Sequence, residues 1–146
     1  MDDVVRKILT TYDTITVVGA SDYPGKAAHR VPAQMQRHGW RVIPVNPRCG
    51  VILGERAYPT LAEVPGPIGL VQVFRPSAQA AEVARQAVEA GATALWLQLA
   101  IFSDQAREIA AADGLLYVED ACMSVERRRL GLAAPAGTDP GDPLSR

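Results

Sequence analysis

Short apolar runs that alternate with longer segments of helical spacing constrain the fold most. Five runs rich in valine, isoleucine and leucine recur along the chain, at residues 14–19, 41–46, 69–74, 93–97 and 115–118. Their apolar residues are largely continuous, which is typical of parallel strands that are covered on both faces. Parallel neighbours need long crossover connections, and the intervening segments have the length of helices. The pattern therefore predicts a doubly wound α/β domain with a mainly parallel five-stranded sheet and helices on both faces.

The segments before and between these apolar runs have the residue spacing of helices. Helices are predicted at residues 2–11, 27–38, 77–90 and 103–112. Ser77 and Ser103 are of the residue type that accepts hydrogen bonds from the free amides at a helix start. The helix exits are predicted at Gly39, Gly91 and Gly114, because glycine tolerates the backbone conformation that ends a helix.

The remaining segments lack these regular patterns. Glycine and proline interrupt residues 49–67, which predicts an irregular connection with one short helical turn at residues 60–64. After Leu132 the sequence is rich in alanine, proline, glycine and aspartate and has too little apolar mass to pack. We therefore predict one domain over residues 1–132 and a disordered tail over residues 133–146.

Composition disfavours several classes of protein. The 146 residues suit one domain, and the net charge of -1 gives no overall attraction to nucleic acid or membranes. No apolar run approaches the roughly 20 residues that span a bilayer, and Asp2 and Asp3 stand where a signal peptide carries positive charge. Cys49 and Cys122 form neither a CxxC pair nor a zinc-ligand cluster. These features predict a cytoplasmic protein with reduced thiols, no metal site, and no nucleic-acid or membrane partner.

The first apolar run leads into a turn of small residues. Gly19, Ala20 and Ser21 follow it, and a helix is predicted to begin a few residues later. Small side chains let backbone amides approach a ligand, and a helix N-terminus presents free N–H groups and partial positive charge. Lys26 stands near the helix start, where it adds a full positive charge. The segment therefore predicts a phosphate-binding turn.

This turn departs from the GxGxxG fingerprint of dinucleotide-binding domains, because the second and third glycines are absent from their positions after Gly19. The second run ends in Val45, Asn46, Pro47 and Arg48, without the acidic residue that binds the ribose hydroxyls of NAD. NAD is therefore disfavoured. Arg48 indicates an additional phosphate on the ribose, a group that NADP and coenzyme A (CoA) both carry.

Two further strand ends carry polar groups. Phe74, Arg75 and Pro76 follow the third run, and Gln98 follows the fourth. In open α/β sheets, ligands bind at the carboxyl ends of the strands. Arg75 offers a fork of N–H groups to a phosphate, and Gln98 offers an amide for the recognition of another amide.

Five segments together resemble a known family. VVGAS, IPVNP, VFRP, WLQ and EDACMSVERRRL occur in this order within about residues 5–130, and they are similar to segments of small bacterial and archaeal CoA-binding proteins. Those proteins are similar in turn to the N-terminal CoA-binding domain of the succinyl-CoA synthetase α subunit. The resemblance implies a Rossmann-like CoA-binding fold whose ligand is CoA or an acyl-CoA.

The resemblance also implies roles for residues at the strand ends. Gly19, Ala20 and Ser21 would hold the pyrophosphate of CoA, and Lys26 would face a phosphate. Val45, Asn46 and Pro47 would line the adenosine side of the ligand. Phe74, Arg75 and Pro76 would contact the nucleotide and the start of the pantetheine arm. Gln98 and Ile101 would face the pantetheine arm.

Three positions depart from the family pattern. The family often has glycine where Ala100 stands, a basic residue where Ala121 stands and histidine where Arg127 stands. Ala100 would narrow the pantetheine channel, and Ala121 removes a potential phosphate partner.

These residues predict binding without catalysis. The synthetase forms a phosphohistidine outside this domain and needs a partner subunit, while His29 near the turn is interpreted as structural or solvated. We expect a CoA or acyl-CoA binding module that acts as a sensor, carrier or regulatory domain, as a homo-oligomer or with an unidentified protein partner. Two alternatives stay open. One is a small NADP-linked oxidoreductase, which Arg48 favours and the missing glycines disfavour, and the other is an orphan subunit of an acid-thiol ligase.

Cys122 follows the last predicted strand and has two interpretations. The first is a small buried residue beside Met123 and Val125, with no base or cation placed to lower the pKa of its thiol. The second is a mixed disulfide with the CoA thiol. The basic triplet at residues 127–129 is interpreted as a solvated helix face.

Overall fold

The computed structural model describes residues 1–135, and its elements follow the predicted alternation. The strands are β1 (Thr14–Val18), β2 (Arg41–Val45), β3 (Val51–Ile52), β4 (Glu55–Arg56), β5 (Leu70–Val73), β6 (Ala94–Leu97) and β7 (Leu116–Val118). The helices are α1 (Asp2–Thr11), α2 (Ala27–Arg37), α3 (Ser77–Glu89), α4 (Asp104–Ala112) and α5 (Met123–Leu130), and a 3-10 turn covers Leu61–Glu63.

Five of the strands form one parallel sheet in the order β2-β1-β5-β6-β7. Side chains alternate between its faces, so Trp96 packs with residues of α1, α2 and α5, whereas Leu95 and Leu97 pack with residues of α3 and α4. Both faces are therefore buried, and this is why the strands appear in the sequence as continuous apolar runs. The doubly wound α/β fold is confirmed.

The predicted bounds of these five strands and of the first four helices are confirmed to within one residue. The helix exits are confirmed as well, with φ of 102° at Gly39, 83° at Gly91 and 74° at Gly114. The predicted turn at residues 60–64 is the 3-10 turn at Leu61–Glu63.

The two predicted serine caps have different outcomes. Ser103 caps α4, since its Oγ accepts a hydrogen bond from the amide of Ala106 at 3.1 Å. The prediction for Ser77 is wrong, because α3 begins at Ser77 itself, after Pro76, and no side chain caps it. The Ser77 hydroxyl instead accepts a hydrogen bond from the amide of Phe102 at 3.1 Å. It therefore ties the start of α3 to the segment that follows β6.

The sequence patterns miss two elements. β3 and β4 form a hairpin whose central residues, Leu53 and Gly54, have φ of 55° and 76°, positive values as in a type I′ turn. Strands of two residues are too short to show a period. α5 buries only Met123 and Ser124, so its sequence shows no apolar stripe.

Ion pairs join α5 to α1. Arg129 lies 2.8 Å from a carboxylate oxygen of Asp2 and 2.7 Å from one of Glu126. The hydrogen bonds and the charge of Arg129 hold the pKa of the Asp2 carboxyl below its ordinary value. The first and last helices are therefore held side by side on the same face of the sheet.

Part of the predicted tail is described. The amide of Ala134 donates a hydrogen bond to the carbonyl oxygen of His38 at 2.9 Å. The rest of the predicted tail, residues 136–146, lies outside the described residues, and the boundary at residue 132 stays a prediction. Each helix within residues 1–135 is too short or too polar to cross a membrane.

Candidate functional site

The carboxyl ends of four neighbouring strands lie side by side at one edge of the sheet. Val18 of β1 is paired with Val45 of β2 and with Val73 of β5, and Val73 is paired with Leu97 of β6. The segments that begin at residues 19, 46, 74 and 98 therefore leave the sheet next to one another. We call residues 19–26, 45–48, 74–76 and 98–102 the carboxyl edge. It contains every binding residue that the sequence predicts.

Exposure divides these predicted residues into two groups. Ala20, Val45 and Gln98 are buried, and the other predicted residues are at least partly exposed. The side chains of Ala20 and Val45 belong to the hydrophobic core on either face of the sheet. These two residues therefore shape the edge through their backbone and offer little side-chain surface to a ligand.

Gly19 lies in close contact with the end of β5. Its φ is 87°, and a Cβ atom at this position would lie 2.9 Å from the carbonyl oxygen of Phe74 and 3.1 Å from Cδ of Arg75. Its amide donates a hydrogen bond to the carbonyl oxygen of Val45 at 3.0 Å, which fixes the turn against β2. The turn therefore needs glycine on both steric and conformational grounds.

The turn after Gly19 leads into α2. The amide of Ser21 donates a hydrogen bond to the carbonyl oxygen of Ala28 at 3.2 Å. Lys26 is the N-cap residue, and the first turn of α2 contains no acidic residue. The amides of Ala27 and Ala28 have no acceptor within residues 1–135. An anion beside this helix end would meet free N–H groups, the positive end of the helix dipole and the Lys26 ammonium.

Asn46 holds the ends of β1 and β2 together. Its Nδ2 donates a hydrogen bond to the carbonyl oxygen of Ala20 at 2.8 Å, and its Oδ1 accepts one from the amide of Arg48 at 2.7 Å. The backbone thereby engages both ends of the side-chain amide. Asn46 shapes the turn and orients the segment that carries Arg48, and its contact with adenosine stays a prediction.

Arg75 lies beside the Gly19 turn with its charge available. Its Nε and Nη2 donate hydrogen bonds to Oε1 of Gln79 at 2.9 Å and 2.6 Å. Gln79 is neutral, and among the described residues no carboxylate forms a salt bridge with Arg75. The guanidinium is therefore held in place without being neutralised.

Gln98 is 4 % exposed and makes internal connections. Its Oε1 accepts hydrogen bonds from Nε2 of Gln72 at 3.1 Å and from the amide of Met123 at 3.3 Å. Gln98 thus links β5, β6 and the start of α5. Its carbonyl oxygen is engaged in this way, and its NH2 group also donates a hydrogen bond to the Cys122 thiol. Only one N–H of Gln98 is therefore left for the predicted contact with pantetheine.

The segment after β6 combines unusual backbone angles with exposed apolar side chains. Ala100 has a φ of 68° and Asp120 a φ of 55°, in the left-handed region that favours glycine. The Ala100 amide donates a hydrogen bond to Oδ1 of Asp120 at 2.8 Å, and the Asp120 amide donates one to the carbonyl oxygen of Ile101 at 3.0 Å. Leu99 and Phe102 are 61 % and 56 % exposed. The segment therefore presents apolar surface at the carboxyl edge.

Ala100→Gly is expected to stabilise the protein, since the left-handed conformation costs a residue with a Cβ about 1 kcal/mol relative to glycine. Urea titration should show a free energy of unfolding that is higher by about 0.5–1 kcal/mol, with an unchanged slope. The matched control is Ala111→Gly on the exposed side of α4, which should lower that free energy by about 1 kcal/mol. A loss of stability in Ala100→Gly would contradict the assignment of strain to this position.

Cys122 is the half-buried N-cap residue of α5. Its Sγ lies 3.4 Å from the hydroxyl oxygen of Ser124. Burial by itself raises the pKa of the thiol, but hydrogen bonds from the Ser124 hydroxyl, the Val125 amide and Gln98 outweigh burial, and the pKa of Cys122 lies below its ordinary value. The sequence predicts no base or cation beside this thiol, and the groups that lower its pKa are indeed neither, since they are hydrogen-bond donors at the helix start and the Gln98 amide.

The two cysteines are expected to react with iodoacetamide at different pH values. Burial, and then the Asp22 carboxylate, raise the pKa of Cys49, whereas the pKa of Cys122 is lowered. Because the thiolate is the nucleophile, the pH–rate profile of Cys122 should reach its midpoint at a lower pH than that of Cys49. Mass spectrometry of the Cys49→Ser and Cys122→Ser variants measures each thiol separately. Ser124→Ala should raise the midpoint of Cys122, and coincident midpoints in the two single variants would contradict the assignment.

Reasoning from the sequence missed Asp120 and Ser124. Asp120 follows β7 as the other site residues follow their strands, so the rule that ligands bind at strand carboxyl ends gives a signal for it. Ser124 carries no such signal because α5 was not predicted. Ala121, where the family often has a basic residue, is 4 % exposed, and its carbonyl oxygen accepts a hydrogen bond from Nε1 of Trp96 at 2.8 Å. That position therefore faces the core.

Comparison with known proteins identifies a family. The CoA binding domain family matches residues 13–128. The uncharacterized protein YneT of Bacillus subtilis (strain 168) is 36 % identical over 121 residues, which cover 83 % of this chain and 90 % of YneT. A hypothetical protein from Pyrococcus horikoshii OT3, whose structure is known, is 35 % identical with a TM-score of 0.85, over 90 % of this chain and 93 % of that one.

A larger enzyme contains the same fold. The dinucleotide-forming acetyl-coenzyme A synthetase 1 of Ca. Korarchaeum cryptofilum, solved in complex with phosphate and ADP, aligns with a TM-score of 0.69 at 22 % identity, over 82 % of this chain and 28 % of the synthetase chain. At this identity the likeness concerns the fold alone, and it confirms the Rossmann-like fold that the sequence predicts. With a family match over most of its length, the chain belongs to the CoA binding domain family.

Proposed function

We propose that this chain binds CoA or an acyl-CoA at its carboxyl edge and acts as a non-catalytic sensor, carrier or regulatory module. One observation carries the proposal. In a chain of the CoA binding domain family, the Gly19 turn, the free amides of α2 and the unneutralised Arg75 guanidinium meet at one point of the sheet. This combination of backbone donors and cations suits a pyrophosphate.

The pyrophosphate lies, in this proposal, between the first turn and Arg75. The absence of a Cβ at Gly19 keeps the turn open, while Ser21 anchors it to α2. Lys26 supplies positive charge from the helix side and Arg75 from the side of β5. A hydrogen bond to a charged group contributes about 1.5–3 kcal/mol, so two such contacts account for a large part of the affinity.

The adenosine half of the ligand extends toward β2. Asn46 positions the Arg48 amide, and the Arg48 side chain then pairs with the 3′-phosphate. Pro47 is exposed and gives the nucleotide a rigid neighbour.

The pantetheine arm runs in the opposite direction along the edge, toward the apolar segment after β6. Leu99 and Phe102 are exposed there and Ile101 is partly exposed. Apolar side chains of this kind suit the methyl groups of pantetheine and an acyl chain beyond them. The N–H of Gln98 that does not donate to Cys122 is the polar group available to an amide of the arm.

The polar side chains of Asn46, Gln98 and the neighbouring Asp120 support a binding role over an enzymatic one. All three form hydrogen bonds with backbone groups. Groups engaged in this way hold the shape of the edge, and the amides of Asn46 and Gln98 are neutral groups that do not act as general acids or bases. We assign this role to the cytoplasm, because both cysteines carry free thiols, the form that a reducing compartment maintains.

Calorimetric titration with CoA, dephospho-CoA, NADP and NAD tests the proposal. CoA should bind most tightly, and dephospho-CoA should bind at least about tenfold more weakly because it lacks one charge-assisted contact. The Arg48→Gln variant should bind CoA and dephospho-CoA with the same affinity, which would assign the contact with the 3′-phosphate to Arg48. Mass spectrometry of protein purified without added ligand should detect CoA or an acyl-CoA.

Two outcomes would favour the alternatives. Tighter binding of NADP than of CoA would favour the oxidoreductase. CoA-dependent ligase activity that appears only with an added protein chain would favour the orphan subunit.

A further inference from the structure

A polar cavity lies between the end of α2 and α5. It has a volume of about 240 Å³ and is lined by Gln34, Arg37, His38, Ser124, Arg127 and Arg128. We call these six residues the basic cleft. Three of them are arginines and none is acidic, although the chain as a whole has a net charge of -1. The positive charge is therefore a local feature and does not follow from a basic composition.

The acidic residues on this face pair elsewhere. Glu126 of α5 and Asp2 of α1 both form salt bridges with Arg129, which does not line the cleft. Within the part of the chain that the structure describes, neither Arg37, Arg127 nor Arg128 is in a salt bridge. The cleft thus keeps three positive charges together without internal neutralisation.

Arg127 has an unmet donor inside this cleft. Its Nη1 donates a hydrogen bond to the carbonyl oxygen of Leu132 at 3.1 Å, which holds the guanidinium in one orientation. Its Nε is buried and has no hydrogen-bond partner among the described residues. A buried donor without an acceptor is unfavourable. Because Arg127 lines the cleft, an acceptor bound there would lie beside a guanidinium whose orientation is already fixed.

We propose that the basic cleft binds a phosphate group, separately from the CoA site. Arg37, Arg127 and Arg128 would donate hydrogen bonds to it from different sides of the cleft. A phosphate offers more oxygen acceptors than a carboxylate and matches guanidinium geometry. The cleft is distinct from the phosphate-binding turn, because α2, whose 11 residues span about 16 Å, begins at that turn and ends at the cleft. The group belongs either to free inorganic phosphate or to a small phosphomonoester.

The test uses the Gly19→Val variant, in which the turn is blocked, so that its result does not depend on CoA binding. Calorimetric titrations at low ionic strength with inorganic phosphate, phenyl phosphate and acetate compare the three anions. One phosphate or phosphomonoester should bind per chain, acetate should bind more weakly, and added NaCl should weaken binding. Tighter binding of inorganic phosphate identifies the free anion as the ligand, and tighter binding of phenyl phosphate identifies a phosphomonoester.

Substitutions in the same background locate the site. Arg127→Gln should weaken phosphate binding at least about tenfold, since one charge-assisted bond is lost. The double substitution Arg37→Gln and Arg128→Gln, at two exposed positions whose replacement should spare the fold, should do the same. The control is Arg85→Gln, which removes the same charge from α3, outside the cleft, and should change the affinity by less than about twofold. The proposal would be overturned if all three variants lost phosphate affinity equally, or if the double variant bound phosphate as tightly as its parent. It would also be overturned if saturating CoA displaced phosphate from the wild-type protein.

Discussion

Gly19→Val is expected to weaken CoA binding at least about a hundredfold, because the side chain removes two or more charge-assisted contacts with the pyrophosphate. A Cβ atom at this position already lies 2.9 Å from the Phe74 carbonyl oxygen, so the branched side chain has to project toward the ligand or displace the turn. Calorimetric titration with CoA measures the affinity, and far-ultraviolet circular dichroism shows whether the variant is folded.

The matched control is Gly91→Val. Gly91 also has a positive φ, 83°, but no atom of residues 1–135 lies within 4 Å of a Cβ at that position, and it follows α3 at the opposite edge of the sheet. Both variants suffer a similar backbone penalty, and only one blocks the proposed site. Retained CoA affinity in folded Gly19→Val protein, or equal losses in the two variants, would place the ligand elsewhere.

The largest loss of stability is expected for Gln98→Leu. The leucine leaves the Met123 amide and Nε2 of Gln72 without their shared acceptor. A buried donor without a partner costs about 1–3 kcal/mol, so the free energy of unfolding should fall by about 2–5 kcal/mol. Urea titration monitored by tryptophan fluorescence measures this loss.

A second substitution separates the hydrogen bonds from packing. Gln72 already has a buried Oε1 without a partner in the described structure, so Gln72→Leu removes a polar group that is poorly satisfied. Added to Gln98→Leu, it should restore about 1–2 kcal/mol of the lost stability. If the double variant is destabilised by the sum of the losses in the two single variants, the hydrogen bond between these glutamines contributes nothing measurable to stability.

The main sheet is predictable from the sequence because helices cover both of its faces. A strand such as β6 is then apolar at every position, and glycine at a helix exit such as Gly91 marks where the crossover ends. The hairpin of β3 and β4 gives no comparable signal, because its strands are two residues long. α5 escapes prediction for another reason, since it is mostly polar and is held partly by the ion pair between Arg129 and Asp2.

The candidate site is predictable in its position and not in its hydrogen bonds. Parallel pairing brings the residues after each strand to one edge, so the set of residues follows from the strand assignments. The hydrogen bonds from Asn46 to Ala20 and from Met123 to Gln98 do not follow from those assignments. Each joins segments that are 25 or more residues apart and depends on the exact register of the sheet. The lowered pKa of Cys122 has the same origin, since its donors belong to a helix that the sequence did not reveal.

The ion pair between Asp2 and Arg129 joins residues 127 positions apart, and this separation bears on how the protein folds as it is synthesised. α1 packs against β7 and α5, burying Ile8 and Leu9. Contacts that are distant in sequence form late, because the entropy of closing a long loop has to be offset before they contribute. α1 is synthesised before β7 and α5, so its contacts with these two elements cannot form until the intervening strands have been made. The part of its apolar face that packs on them therefore stays uncovered in the nascent chain until α5 has emerged.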